Sequence, residues 1–149
     1  MKIGIGCDEV AYSLKMIVIK HLEEKGIEVV DYGCGPDEKV LYPDVALAVA
    51  QDIAAKKFER GILICGTGIG MAITANKVPG VRAACCHDVY SAERSRKSND
   101  AHILTMGAQV IGYSLALMLV DAWLASEFAG GRSQPKVDRM IEIDAQFHK

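Results

Sequence analysis

The chain has 149 residues, of which 50% are hydrophobic and 24% charged, with 14 Gly and only 4 Pro. That length builds one core rather than two catalytic domains, and the composition excludes disordered, collagen-like and coiled-coil chains. Seventeen Lys and Arg against nineteen Asp and Glu leave a formal net charge of -2, so no broad positive field draws nucleic acid or an anionic membrane, and any anion must be met by a local site.

Short apolar runs alternate with longer amphipathic stretches, the pattern of βα units laid into a parallel sheet. Residues 2–7 read as the first strand. The start has a single basic residue, Lys2, and no apolar leader core or cleavage pattern, so the expectation is a cytoplasmic protein. A helix over 11–25 has Leu14, Val18 and Leu22 at helical spacing and Gly26 as its stop. A second strand over 27–31 leads into a turn of Gly33, Cys34, Gly35 and Pro36, and a helix over 43–57 then starts with proline in its first turn. The third strand, 61–65, opens through a glycine-rich turn into another helix. Strands over 81–86 and 102–106 are separated by a charged helix over 89–97. The apolar stretch 110–120, between Gln109 and Asp121, falls short of the roughly 18 residues that span a bilayer and reads as the start of a buried helix over 110–127. A last helix over about 135–146 is polar enough to lie over a neighbour. The prediction is one α/β domain over 1–149 with about five parallel strands. In such open sheets ligands bind beyond the carboxyl ends of the strands, so the loops after Cys7, Cys65, Cys86 and Met106 are the place for a site.

Five cysteines, at 7, 34, 65, 85 and 86, form no Cys-x-x-Cys pair and no zinc-type spacing. Neither a disulfide framework nor a structural metal is expected. Cys65 stands apart, because it ends a strand and opens Cys65-Gly66-Thr67-Gly68-Ile69-Gly70 before a helix. Glycines let backbone approach a ligand, and amides at a helix start form a nest for negative charge that also favours a thiolate. Such a cysteine suits nucleophilic attack, or proton removal from carbon beside a carbonyl with the enediolate held by amides. The alternative is a tight strand-to-helix connection around a buried cysteine. Spacing excludes a dinucleotide fingerprint, since Gly70 comes one residue early, and a Walker loop, since no Lys-Ser/Thr follows. Met71 stands where a thiol phosphatase would need arginine.

Asp8 and Glu9 set carboxylates beyond the first strand, where Asp8 either accepts from sugar hydroxyls or caps the next helix. His87 is the one histidine at a strand's carboxyl end, whereas His102 is at the wrong end and His21 and His148 sit on helical surface. Arg132, Lys136 and Arg139 are spaced to share a helical face, as solvated charge or as an anion site. Cys85, Cys86, Met71 and Met106 read as packing residues.

Cys65 to Gly70, followed by Ala75-Asn76-Lys77-Val78-Pro79-Gly80-Val81-Arg82-Ala83, resembles the type B ribose-5-phosphate isomerase and galactose-6-phosphate isomerase family. Gly6-Cys7-Asp8, Asp31-Tyr32-Gly33, Tyr42-Pro43, Tyr90-Ser91-Ala92, Ser98-Asn99-Asp100, Asp121-Ala122-Trp123-Leu124 and Gly130-Gly131-Arg132 fall in family order over nearly the whole chain. The resemblance implies a Rossmann-like three-layer α/β/α sandwich and a homodimer or dimer of dimers with active sites at the subunit interface. It also implies cofactor-free, metal-free interconversion of an aldose phosphate and a ketose phosphate. Cys65 is then the base between C1 and C2. Gly66, Gly68, Ile69 and Gly70 supply the anion hole with Thr67 assisting. Asp8 and Asn99 bind hydroxyls, and Tyr42 lines the site. Members with a glutamate base carry it where this chain has Ala72, so the cysteine subtype is indicated.

The departures from the family concern the substrate. Ribose-type members have histidine where this chain has Glu9, and a ring-opening histidine where it has Ser98. Of three phosphate-holding arginines only Arg132 remains, with Gln109 and Lys136 at the other positions, and lysine keeps charge but loses bidentate geometry. One reading is a tetrose 4-phosphate, which has no furanose ring to open because its O4 is esterified. Another is ribose 5-phosphate with His87, water or the unassisted equilibrium opening the ring, and a third is an unphosphorylated sugar. From other classes, a non-catalytic anion-binding module and a thiol-dependent hydrolase compete.

Overall fold

The computed structural model describes residues 1–148. Its strands are β1 (Lys2–Cys7), β2 (Glu28–Asp31), β3 (Arg60–Cys65), β4 (Ala83–Cys85) and β5 (Ile103–Gly107). Its helices are α1 (Tyr12–Glu24), α2 (Tyr42–Ala54), α3 (Ile69–Ala75), α4 (Val89–Lys97), α5 (Tyr113–Leu124) and α6 (Gln134–Phe147), with short 3₁₀ turns at Glu9–Ala11 and Gly131–Ser133. The strands form one parallel sheet in the order β2-β1-β3-β5-β4.

The sheet is covered on both faces, so β1, β3 and β5 read as nearly continuous apolar runs rather than alternating ones. On one face Ile3, Ile5, Ile62, Ile64, Leu104 and Met106 meet Leu14, Val18 and Leu22 of α1, Ala92 of α4, and Ala116, Leu119, Val120 and Trp123 of α5. On the other, Leu63, Cys65 and Ile103 meet Val45, Val49 and Ile53 of α2 and Met71 and Ala75 of α3. The result is the Rossmann-like three-layer α/β/α sandwich that the family resemblance implies, on the five-stranded parallel sheet that the alternation of elements predicts. Glycine lets α2 approach the sheet closely: a Cβ at Gly61 would come within 2.9 Å of Val49.

α6 stands apart from both layers. Val137 is its one buried residue, while Met140, Ile141, Ile143 and Phe147 are exposed. Asp144 Oδ2 accepts from the Gly80 N–H at 2.6 Å, which holds the helix at the amino end of the sheet.

Element ends differ from the sequence reading by one to three residues, as where α2 stops at Ala54 rather than 57 and α5 at Leu124 rather than 127, and two of the starts have a visible cause. α5 begins at Tyr113 rather than 110, because the N–H groups of Val110 and Ile111 both donate to Gly107 O, at 3.0 and 3.2 Å, and close a turn instead of a helix. β4 begins at Ala83 rather than 81, because Val81 N–H donates to Val78 O at 3.1 Å across Gly80, whose φ is +85°. No helix among the described residues is long and apolar enough to cross a membrane.

Candidate active site

From β1 the chain turns one way to β2 and then returns to the other side at β3, so the strand order reverses between β1 and β3. A crevice opens beyond the carboxyl ends of strands at such a point. Cys7 and Cys65 end those two strands, and the Asp8 N–H donates to Ile64 O at 3.3 Å across the gap.

Cys65 is 5% exposed, and the Gly68 N–H donates to its Sγ at 3.1 Å. A donor aimed at sulfur is placed to hold negative charge there. Gly68 can do this only as glycine. Its φ is +80°, and a Cβ would come within 2.7 Å of the Met106 backbone. Thr105 Oγ1–H donates to Gly68 O at 2.7 Å and pins the loop from below. Gly107 packs on Thr67 just as closely, with a Cβ 2.6 Å from Thr67 Cα. The turn after β3 therefore lies backbone to backbone on the end of β5.

The other candidates gather around this turn. Thr67 Oγ1 accepts from Ile69 N–H at 3.2 Å, which leaves the hydroxyl proton free to donate. The Gly68 and Ile69 amides are thus engaged by Cys65 and Thr67 side chains. Gln109 N–H donates to Gly66 O at 3.0 Å, and its Oε1 would stand 3.0 Å from a Cβ at Gly66. The Tyr42 phenol lies against Gly70, where a Cβ would overlap it. His87 Nε2 accepts from Gly107 N–H at 2.9 Å, so the neutral ring carries its proton on Nδ1.

Asp8 is the N-cap of the 3₁₀ turn, accepting from Ala11 N–H at 3.2 Å, and burial raises its carboxyl above the ordinary range. Glu9 points away along the surface, accepting from Val40 N–H at 3.3 Å. Cys86, Met71 and Met106 are buried as expected of packing residues. Cys85 is instead exposed, its thiol 3.6 Å from Thr67 O, because β4 is the sheet's edge and ends there.

Four candidates lie at the opposite end of the same chain. α4 starts at the carboxyl end of β4 and runs back, so Ser98 closes it near the amino ends of the strands. There Asn99 O and Asp100 O accept from Arg82, the residue before β4. Ala129 N–H donates to Lys97 O at 3.1 Å and brings the 3₁₀ turn with Arg132, and then Lys136, to this end as well. His102 is also here, its Nδ1 accepting from Arg82 N–H at 3.1 Å. A cleft of about 560 Å³ bordered by Phe58, Pro79, Arg96 and His102 opens on this side, away from Cys65. The candidates therefore fall into two groups, one at each end of the strands.

Sequence reasoning missed three residues. Gly107 and Thr105 shape the Cys65 turn from a neighbouring strand, which no local motif records. Arg94 donates from Nε to Ser98 Oγ at 2.8 Å, and its spacing of four from Ser98 was the available signal. Among the described residues no group of three or more His, Cys, Asp and Glu side chains is placed to hold a metal ion.

The fold, a strand-ending cysteine at the switch point and an amide aimed at its sulfur define a class of small-molecule α/β enzyme. The family model for Ribose/Galactose Isomerase matches residues 3–140, and the chain belongs to that family. It is 65% identical to a protein of Listeria innocua named ribose-5-P isomerase B, over 97% of both chains. It is 52% identical to D-erythrulose-4-phosphate isomerase of Pectobacterium atrosepticum, over 94% of this chain and 93% of that one. The structure of ribose-5-phosphate isomerase B from Clostridium thermocellum superposes with a TM-score of 0.96 at 48% identity, covering 99% of each chain.

Proposed function

We infer that the chain moves a proton between C1 and C2 of an open-chain sugar phosphate, with Cys65 as the base. It is an aldose–ketose isomerase of sugar phosphates. The observation that carries the mechanism is the Gly68 N–H held on Cys65 Sγ at 3.1 Å, at the switch point of the sheet. The thiolate takes the proton from C2 of the aldose, and the electron pair passes to the C1 carbonyl oxygen. The resulting enediolate oxygen is met by the free Thr67 hydroxyl and by those amides of the 66–70 turn that the Cys65 and Thr67 side chains do not engage. Cys65 then returns its proton to C1 while the O2 proton passes to O1, which leaves the ketone at C2. These steps balance without a cofactor.

The remaining roles follow the family resemblance. Asp8, Tyr42 and Asn99 meet sugar hydroxyls, while Gln109, Arg132 and Lys136 meet phosphate and His87 borders the reacting carbons; Glu9, turned away onto Val40 N–H, takes no part. Because Ser98, Asn99, Arg132 and Lys136 sit at the far end of the chain, they serve a second copy's Cys65. The assembly is a homodimer or dimer of dimers, and α6 is the element that packs on the partner. Its exposed Met140, Ile141, Ile143 and Phe147 support that arrangement.

Ribose 5-phosphate is the first substrate reading, since the 65% identical relative carries that name. A tetrose 4-phosphate is the second, favoured by Ser98, an alcohol far too weakly acidic to hand a proton to a ring oxygen as a histidine would. In deuterated buffer the aldose and ketose should acquire solvent deuterium at C2 or C1 during turnover, read by NMR. Cys65→Ala should lose about 10³-fold in kcat and abolish the exchange. Full activity in Cys65→Ala, or turnover without exchange, would contradict proton transfer by this cysteine.

A further inference from the structure

We propose that Arg94, oriented by Ser98, binds the substrate phosphate and selects a four-carbon sugar phosphate over a five-carbon one. The proposal rests on the isomerase reading and on the half-site at Ser98 serving a second copy of the chain.

Arg94 lies one helical turn before Ser98, and its Nε–H donates to Ser98 Oγ at 2.8 Å. That bond fixes the guanidinium by its inner nitrogen and leaves the outer pair, the fork that grips phosphate, for something else. Protein carboxylates take little of it. Glu93 Oε1 stands 4.0 Å away with both side chains more than a third exposed, at 39% and 37%, and Lys97 contacts the same oxygen at 3.6 Å. Such a surface pair contributes next to nothing. Arg96, two residues on, is spent inward on Asp100 and the Ala101 carbonyl. Arg94 is the arginine of α4 that stays available.

Two more cations share this end. The Ala129–Lys97 backbone bond sets the Arg132 turn against the end of α4, and Lys136 follows in the first turns of α6. Among the described residues neither has a carboxylate within 4.0 Å. Arg94 thus adds a planar fork to a site that Gln109 leaves one charge short.

Chain length follows from chemistry at the fourth carbon. In a pentose 5-phosphate that carbon bears the oxygen that closes the ring, and opening it calls for a proton donor. In a tetrose 4-phosphate the same carbon bears the phosphate ester. Arginine stays protonated and cannot hand over a proton, but it grips phosphate well. The Arg94–Ser98 pair therefore suits the second substrate and not the first.

Kinetics with erythrose 4-phosphate, ribose 5-phosphate and phosphate-free erythrose, on the full chain and on Arg94→Leu and Arg94→Lys, test this. Arg94→Leu should raise KM for erythrose 4-phosphate roughly tenfold or more with kcat little changed. The rise should be smaller for ribose 5-phosphate and absent for erythrose, and Arg94→Lys should recover part of the loss. An unchanged KM, an equal rise for both phosphates, or a fall in kcat with phosphate-free erythrose would overturn the proposal. Heat of binding of inorganic phosphate gives a readout independent of turnover. Arg94→Leu should weaken it by a similar factor, and equal binding in both proteins would overturn the proposal. If the unaltered protein turned over no sugar phosphate, the isomerase reading would fail, and the phosphate titration would still decide for or against Arg94.

Discussion

Gly68 joins conformation to chemistry at one residue. Its left-handed φ of +80° turns the N–H toward Cys65 Sγ, and its missing side chain lets the loop rest on Met106. Gly68→Ala is expected to misplace that donor, lowering kcat about tenfold or more, and to cost more stability than the about 1 kcal/mol of the left-handed φ alone, because its Cβ meets the Met106 backbone. Gly80→Ala is the control, because Gly80 has φ +85° with open space around it and stands away from Cys65. It should lose only the about 1 kcal/mol of the strained φ and keep kcat, as steady-state rates and thermal midpoints would report. Equal kcat in both variants would remove the role of the Gly68 amide. The Cys65 turn was legible in the sequence because its glycines, threonine and cysteine are contiguous. Gly107 was not, because what constrains it is Thr67, brought over from another strand.

At the scale of elements, strands were the most legible, since β1, β3 and β5 are short apolar runs whose burial on both faces leaves no polar alternation to misread. The start of α5 was not legible. Val110 and Ile111 continue the apolar run of the helix, and the nearby Gly107 carbonyl turns them into a loop. The lead-ins to β4 and β5 are tied by a two-way bridge. His102 N–H donates to Arg82 O at 2.7 Å, and Arg82 N–H donates to His102 Nδ1 at 3.1 Å. Burial, with Arg82 close by, pushes His102 from 6.5 down to about 4. Between those values the unfolded chain binds more protons than the folded one, so stability rises with pH across the window. The contribution, roughly 2–3 kcal/mol, is present above about pH 6.5 and lost as pH falls toward 4. His102→Asn, which keeps an acceptor for Arg82, should flatten the slope of denaturant stability between pH 4 and 6.5. A slope unchanged by the substitution would assign the titration elsewhere.

Over the whole molecule, the layers and strand number were legible from the alternation of elements, because each βα unit carries its own signal. The separation of the candidates into two groups was not legible from spacing, which does not show that Ser98 and Arg132 lie far from Cys65; only the family resemblance implied a site at a subunit interface. Both residues stand at the other end of a sheet whose strands all point one way. The polar character of α6 was visible in the sequence, and its uncovered apolar side is visible only once Val137 is seen to be the helix's sole buried residue. An isomerase with Cys65 as base and with Arg132 of the partner subunit at its phosphate makes a demand on mixed assemblies. Cys65→Ala and Arg132→Ala chains, each carrying a different tag and each impaired alone, are co-expressed and the mixed dimer is purified by both tags. One of its two sites then combines an intact Cys65 with an intact Arg132, so sugar-phosphate isomerisation should return to about half of the unaltered dimer. A mixed dimer as impaired as its parents, or a chain that stays monomeric while active, would contradict a site shared between two copies.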